Sequence, residues 1–264
     1  MPALTVLVFD GAGTAGLPPE DPRSILTPVI ERLRWRTGCA VHRPPWAASL
    51  MGVGGNTPWP VASHKAVIAA AEYMHATAGQ FILLGFSAGC RPARELLEQH
   101  PELHDRIAAC GLMGDPWQPA HRNQSGVPNP PGVGIMGGRD TALPQKTFYS
   151  AAPGDPICRS AWDSLLRWIT PASDVLPGQF LIAFVDKARW GRLQLVPFLG
   201  LPIHQWALGL GPRIRRSVEE ARGYLTDGRH TRGYTEPFRT SDGRTDSLAH
   251  RLADSIAWAI RNRA

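Results

Sequence analysis

Residues 80–92, Gln80-Phe81-Ile82-Leu83-Leu84-Gly85-Phe86-Ser87-Ala88-Gly89-Cys90-Arg91-Pro92, decide how the chain is read. Phe81–Leu84 is unbroken apolar sequence, which is what a strand buried on both faces requires. Arg91–His100 predicts a helix, and Pro92 falls in its first turn, where the missing N–H costs no hydrogen bond. Between them stands Gly-x-Ser-x-Gly. In a strand–turn–helix setting this is the pattern of a nucleophile elbow, which exposes the serine hydroxyl at the carboxyl edge of a sheet. Gly85 and Gly89 fit because neighbouring backbone crowds such a turn. The plainer alternative is a strand–turn–helix with no chemistry.

Working outward, the same alternation recurs. Leu4–Phe9, Cys39–His42, Ile107–Met113 and Thr147–Ala151 read as strands. Ser24–Arg36, His64–Ala78 and Ser247–Arg261 carry helical periodicity, and residues 46–61 and 114–134 read as loop. Strand–helix alternation of this kind predicts an α/β fold, a central, mostly parallel sheet flanked by helices. From Cys158 to Thr226 the pattern changes to short, proline-broken segments rich in Trp and Phe. Residues 1–158 and 227–264 are therefore assigned to one core, and 159–226 to a helical insertion.

Composition agrees with a globular chain. The 264 residues are 43% hydrophobic and 19% charged, which excludes a disordered, collagenous or coiled-coil protein. Glycine (27) and proline (25) make up about a fifth of the chain, so loops and tight turns are many. No apolar run approaches the ~20 residues of a membrane span. The N-terminus lacks a basic region before its apolar stretch, so a soluble protein without a signal peptide is expected. The net charge of +6 comes almost wholly from arginine, with Lys65, Lys146 and Lys187 the only lysines. Without aromatic-interleaved basic stretches, nucleic acid is not an expected partner. Cys39, Cys90, Cys110 and Cys158 lack CxxC spacing, which argues against a zinc site. Four thiols and two bridges are both open.

A serine nucleophile needs a base, and the base an orienting carboxylate. In this fold they follow in the order Ser, acid, His. Asp155, in the Gly154-Asp155-Pro156 turn after the Thr147–Ala151 strand, is the candidate acid; Asp115, in a second Gly-Asp-Pro turn, is the rival, and Asp140 a third. Of the histidines beyond Asp155, His250 points away from the apolar stripe Leu248, Leu252, Ile256 and Ile260 of its helix, and His204 sits in the apolar insertion. His230, in a polar loop before the last helix, is the candidate base.

The second glycine motif, Gly11-x-Gly13-x-x-Gly16, follows the first strand as a dinucleotide fingerprint would. Leu17-Pro18-Pro19-Glu20-Asp21-Pro22 cannot open a helix on schedule, and the second strand ends in His42-Arg43 instead of an acid. An alternative use is an oxyanion hole: the Ala88 N–H as one donor, the Gly13-Thr14 loop as the other, with capping of a turn equally open to the Thr14 hydroxyl.

Gly13-Thr14, Gly85–Gly89, Leu112-Met113-Gly114-Asp115-Pro116, Phe148 through Cys158, and His230-Thr231 with Tyr234 together resemble the lysin B family of bacteriophages, which are cutinase-like serine esterases. The likeness spans nearly the whole chain. It implies an α/β-hydrolase core, a helical lid or linker between acid and histidine, and a Ser87, Asp155, His230 triad. It implies cleavage of the ester joining mycolic acids to arabinogalactan in the host envelope at phage lysis. No metal or cofactor is required. The implied partner is mycolyl-arabinogalactan or another lipid ester, with peripheral contact to outer-membrane lipid, and the enzyme is expected to act as a monomer after release from the host cytoplasm. Two departures stand out. Ala88 occupies a position where cutinases often carry Gln. Ser150 stands where they often carry a cysteine bridged to the Cys158 position, so that bridge cannot form. A general cutinase, lipase or thioesterase, a silent envelope-binding module and an NAD(P)-binding protein are the other readings.

Overall fold

The computed structural model describes residues 3–14, 17–18, 21–50, 53–129, 132–164, 166–167, 174, 212, 215–217, 219–220, 222, 224, 227–241 and 243–262. Strand β1 (Leu4–Phe9) pairs in parallel with β2 (Ala40–His42) on one side and β3 (Gln80–Phe86) on the other; β4 (Ile107–Met113) and β5 (Thr147–Ser150) extend the sheet in the order β2-β1-β3-β4-β5. The central strands are apolar throughout because each face is covered. Val6 and Val8 of β1, with Ile82 and Leu84 of β3, pack under α1 (Thr27–Thr37) and the last helix. Leu7 and Phe9, with Phe81 and Leu83, pack under α2 (Trp59–Ala76) and α3 (Cys90–Gln99). Burying such a side chain fully stabilises the fold by roughly 1.5–3 kcal/mol.

The elements assigned after β5 are a short helix α4 (Arg232–Thr235), an antiparallel hairpin β6 (Pro237–Arg239) and β7 (Thr245–Ser247), and α5 (Leu248–Asn262). Leu248, Leu252 and Ile256 are fully buried along α5. Asp254 of α5 accepts from Arg32 and Arg36 of α1 at 2.9 and 2.8 Å, clamping the two helices together.

Two boundaries differ from the sequence reading. α2 begins at Trp59, well before His64, because Pro60 lies in its first turn, where proline is tolerated. α1 begins at Thr27, not Ser24: the Ser24 hydroxyl donates to Asp10 and accepts from the Leu26 N–H, holding a turn that precedes the helix.

Strand order reverses between β2 and β3 on either side of β1. That switch point places the ends of β1 and β3 side by side, where ligand sites of open α/β sheets form. Most of the expected helical insertion over 159–226, His204 included, lies outside the described residues. Its described beginning is tied to the core by Arg167, which is 2% exposed and donates to the carbonyls of Val133, Gly134, Ile135 and Ser160 at 2.8–3.1 Å. All four cysteines are buried and unbridged. No described helix is long and apolar enough to cross a membrane.

Candidate active site

β3 ends in Phe86, and the chain turns through a single 3₁₀ turn, Ser87–Gly89, directly into α3. Ser87 has φ of 54°, a left-handed conformation that costs a non-glycine residue of order 1–3 kcal/mol. Packing holds it there. A Cβ on Gly89 would lie 2.0 Å from the Phe9 carbonyl oxygen, so the turn is wedged against the end of β1 and only glycine fits.

The strained turn aims the hydroxyl at a histidine 143 residues later in the chain. Ser87 Oγ lies 2.7 Å from His230 Nε2, and His230 Nδ1 lies 2.9 Å from Asp155 Oδ2. With Nδ1–H donating to the carboxylate, Nε2 is left as the acceptor for the serine proton. His230 is 5% exposed. The Phe86 ring stacks on the imidazole at 5.0 Å, Tyr224 lies tilted at 5.2 Å, and Tyr234 meets it edge-on. Below it is Gly114, at φ +62°, where a Cβ would come within 3.0 Å of His230 Cε1. The imidazole is thus confined in one plane.

Asp155 is fully buried. Its carboxylate also accepts from the Tyr234 hydroxyl at 2.5 Å, the Ile157 N–H at 3.0 Å and the Cys158 thiol at 3.3 Å. Burial alone would raise its pKa. The charge and hydrogen bond of His230, with the bonds from Tyr234 and Ile157, outweigh it and hold the carboxyl below its ordinary value. Burial and the neighbouring carboxylate push Tyr234 and Cys158 well above theirs, so both remain protonated donors. The sequence marked Tyr234 only through the family resemblance, and Cys158 through that and the cysteine spacing, and gave neither a role at the acid. Nothing local signals Tyr234, whose partner lies 79 residues away; Cys158 stands three residues past Asp155, in the same turn.

The rival acids go elsewhere. Asp115 is equally buried but takes Arg94, through Nε at 2.9 Å and through Nη2, and the Trp117 N–H at 3.0 Å. Asp140 is exposed and lies 3.6 Å from Arg122. His250 pairs with Asp246 at 2.9 Å, on α5.

The oxyanion region departs from expectation. Ala88 is buried beside Ser87, and its carbonyl accepts from the Trp59 indole at 3.1 Å. The Gly13 N–H, however, donates to the Ala48 carbonyl at 2.9 Å. The Thr14 hydroxyl and N–H both turn to the Gly11 carbonyl, at 2.5 and 3.3 Å. These bonds tie the loop after β1 to Ala48 and to its own Gly11, so in this conformation neither residue offers a free N–H to a reacting carbonyl. The dinucleotide pattern is not followed by a helix either: α1 starts only at Thr27.

Among the described residues, His75, His100 and Glu102 are the one group of three metal-ligand types whose ligand atoms all lie within 4.8 Å of one another. They sit where α2 and α3 end, at the sheet edge away from Ser87. Around Ser87 the arrangement supports proton transfer to and from a serine oxygen, the requirement for acyl transfer.

The sequence matches no protein-family model and no curated protein. Among solved structures the fold is similar to lysin B from Mycobacteriophage D29, at 16% identity and a TM-score of 0.52, covering 84% of this chain and 89% of that one. A cutinase-like protein from Cryptococcus sp. aligns at 14% identity and a TM-score of 0.42, over 74% of this chain and 91% of that one. A pyrethroid hydrolase from Sphingobium faniae JZ-2 aligns at 22% identity and a TM-score of 0.31, over 49% and 47%. The chain has an α/β-hydrolase fold.

Proposed function

We propose that the protein is a serine carboxylic ester hydrolase working through an acyl-enzyme. One observation carries this reading: the continuous relay from Ser87 Oγ through His230 to Asp155, with contacts of 2.7 and 2.9 Å. His230 Nε2 takes the Ser87 proton as Oγ bonds to the ester carbonyl carbon. The Ala88 N–H stabilises the oxyanion, and a second donor comes from the loop after β1 once its internal bonds to Ala48 or Gly11 open. The imidazolium returns its proton to the leaving alcohol. Water, deprotonated by the same nitrogen, then releases the acid and frees Ser87.

Within ester hydrolases the substrate we infer is the mycolic acid ester of arabinogalactan, cleaved at the host envelope after release at phage lysis by a monomeric enzyme. The motif spacing supports this choice, as does the aromatic-rich sequence over 159–226, which supplies apolar surface for a long acyl chain. Tyr224, from the end of that segment, already touches the His230 ring.

A fluorophosphonate probe followed by mass spectrometry tests the mechanism: one adduct on Ser87 is expected, and labelling elsewhere or none sinks it. Incubation with purified mycolyl-arabinogalactan, triglyceride and acyl-CoA tests the substrate. Preferential release of free mycolic acid is expected; faster cleavage of triglyceride or acyl-CoA makes the enzyme a general lipase or thioesterase.

A further inference from the structure

Beside the loop after β1, and walled in part by its Asp10 and Thr14, lies a cavity of about 530 Å³ that borders none of Ser87, Asp155 and His230. Arg43, just past β2, points its Nε at Asp10 at 2.6 Å, and Asp10 also accepts from the Ser24 hydroxyl. That engages one edge of the guanidinium. Among the described residues the other edge, Nη1 and Nη2, is buried and has no hydrogen-bond partner; nor has the indole Nε1 of Trp46, three residues on. Buried donors without acceptors are expensive and rare in folded proteins. Both residues line the cavity.

The rest of the wall chooses the ligand. Val8, Pro44, Ala47, Ala62 and Ala69 make it apolar, with Lys65 as a further cation. Asp10, the one acid in the wall among the described residues, is already matched by Arg43. Neither Ser87 nor His230 borders it. Two parallel Nη groups match the two oxygens of a carboxylate, and an apolar wall matches a hydrocarbon chain. We infer that this cavity is a second binding site, for an amphiphilic carboxylate whose head meets Arg43 and Trp46 and whose chain lies along the proline and alanine wall. An acid released from a lipid ester has this chemistry, although the site rests on its own donors and not on the esterase reading.

Calorimetric titration with decanoate, below its micellar range, tests the site. One decanoate per chain is expected, with decanol binding at least about tenfold more weakly because it lacks the charge. Arg43→Lys keeps a cation beside Asp10 but loses the fork, and should weaken binding by about tenfold or more. Trp46→Phe removes only the indole donor and should weaken it several-fold. If Arg43→Lys does not fold, Trp46→Phe and Lys65→Met decide the matter. Absence of binding to the wild type would leave the cavity to water and overturn the site. Equal affinity in the wild type and every folded variant would overturn it too. Probe labelling of Ser87, which these substitutions do not touch, reads the esterase mechanism separately.

Discussion

Asp115 and Asp155 stand in the same tripeptide, Gly-Asp-Pro, each at the end of a parallel strand, and each is fully buried. Their surroundings have opposite logic. Asp115 meets a guanidinium that is permanently charged and 1% exposed, locked in place by the carbonyls of Trp117 and Arg139 as well. Burial works against the Arg94 charge, yet Asp115 more than compensates and holds it protonated even more firmly than usual. Asp155 meets an imidazole, which can gain and lose a proton, and surrounds itself with neutral donors. One carboxylate is a fixed strut and the other orients a moving proton. Local sequence sets the turn; the residue arriving from elsewhere sets the role.

The comparison breaks most visibly in activity. Asp155→Asn should lower kcat on a p-nitrophenyl ester by about 10⁴, because the wrong imidazole tautomer then faces Ser87, while the fold survives. Asp115→Ala should do the reverse, costing about 3–5 kcal/mol in urea unfolding by stranding the buried Arg94, with kcat per folded molecule nearly unchanged. Arg94→Met combined with Asp115→Leu should recover most of that loss, since no buried charge is left alone. If both single carboxylate changes lower kcat alike, the two turns are not distinct. Tyr234→Phe sharpens the contrast: deleting one hydrogen bond to a charged carboxylate should cost about 1.5–3 kcal/mol of stability and reduce kcat by less than Asp155→Asn does.

The smallest effect concerns acid. Asp155 titrates lower in the folded protein than in the unfolded chain. Its contribution to stability is therefore fully present above the unfolded value, about 3.9, and lost as pH falls through the folded one. The Tm difference between wild type and Asp155→Asn should shrink as pH drops below about 4; a difference that grows would reverse the sign of the coupling.

Much of this was legible in sequence. β1, β3 and β4 announce themselves as apolar runs because both sheet faces are covered, and the Gly85–Gly89 pattern needed only its flanking strand and helix. Asp155 could be preferred over Asp115 on its place after a later strand and on the resemblance, but nothing near either residue says which will receive Arg94. That arginine lies on an ordinary amphipathic helix, where arginine usually faces water; it is buried only because the turn after β4 brings Asp115 beneath it. The resting bonds of the loop after β1 were hidden for a similar reason. Small residues let backbone approach, but Ala48 approached from a loop 35 residues away and took the N–H expected for a substrate.

The state of the four thiols has a consequence for where such a molecule works. Each is sealed from solvent, and burial raises each above its ordinary titration range, so almost no thiolate is presented. Folding then requires no oxidant, and no thiol is offered to one afterwards. The protein can mature among reductants and pass into aerated surroundings without rearranging a covalent bond, and the Cys158 proton beside Asp155 stays put through the change.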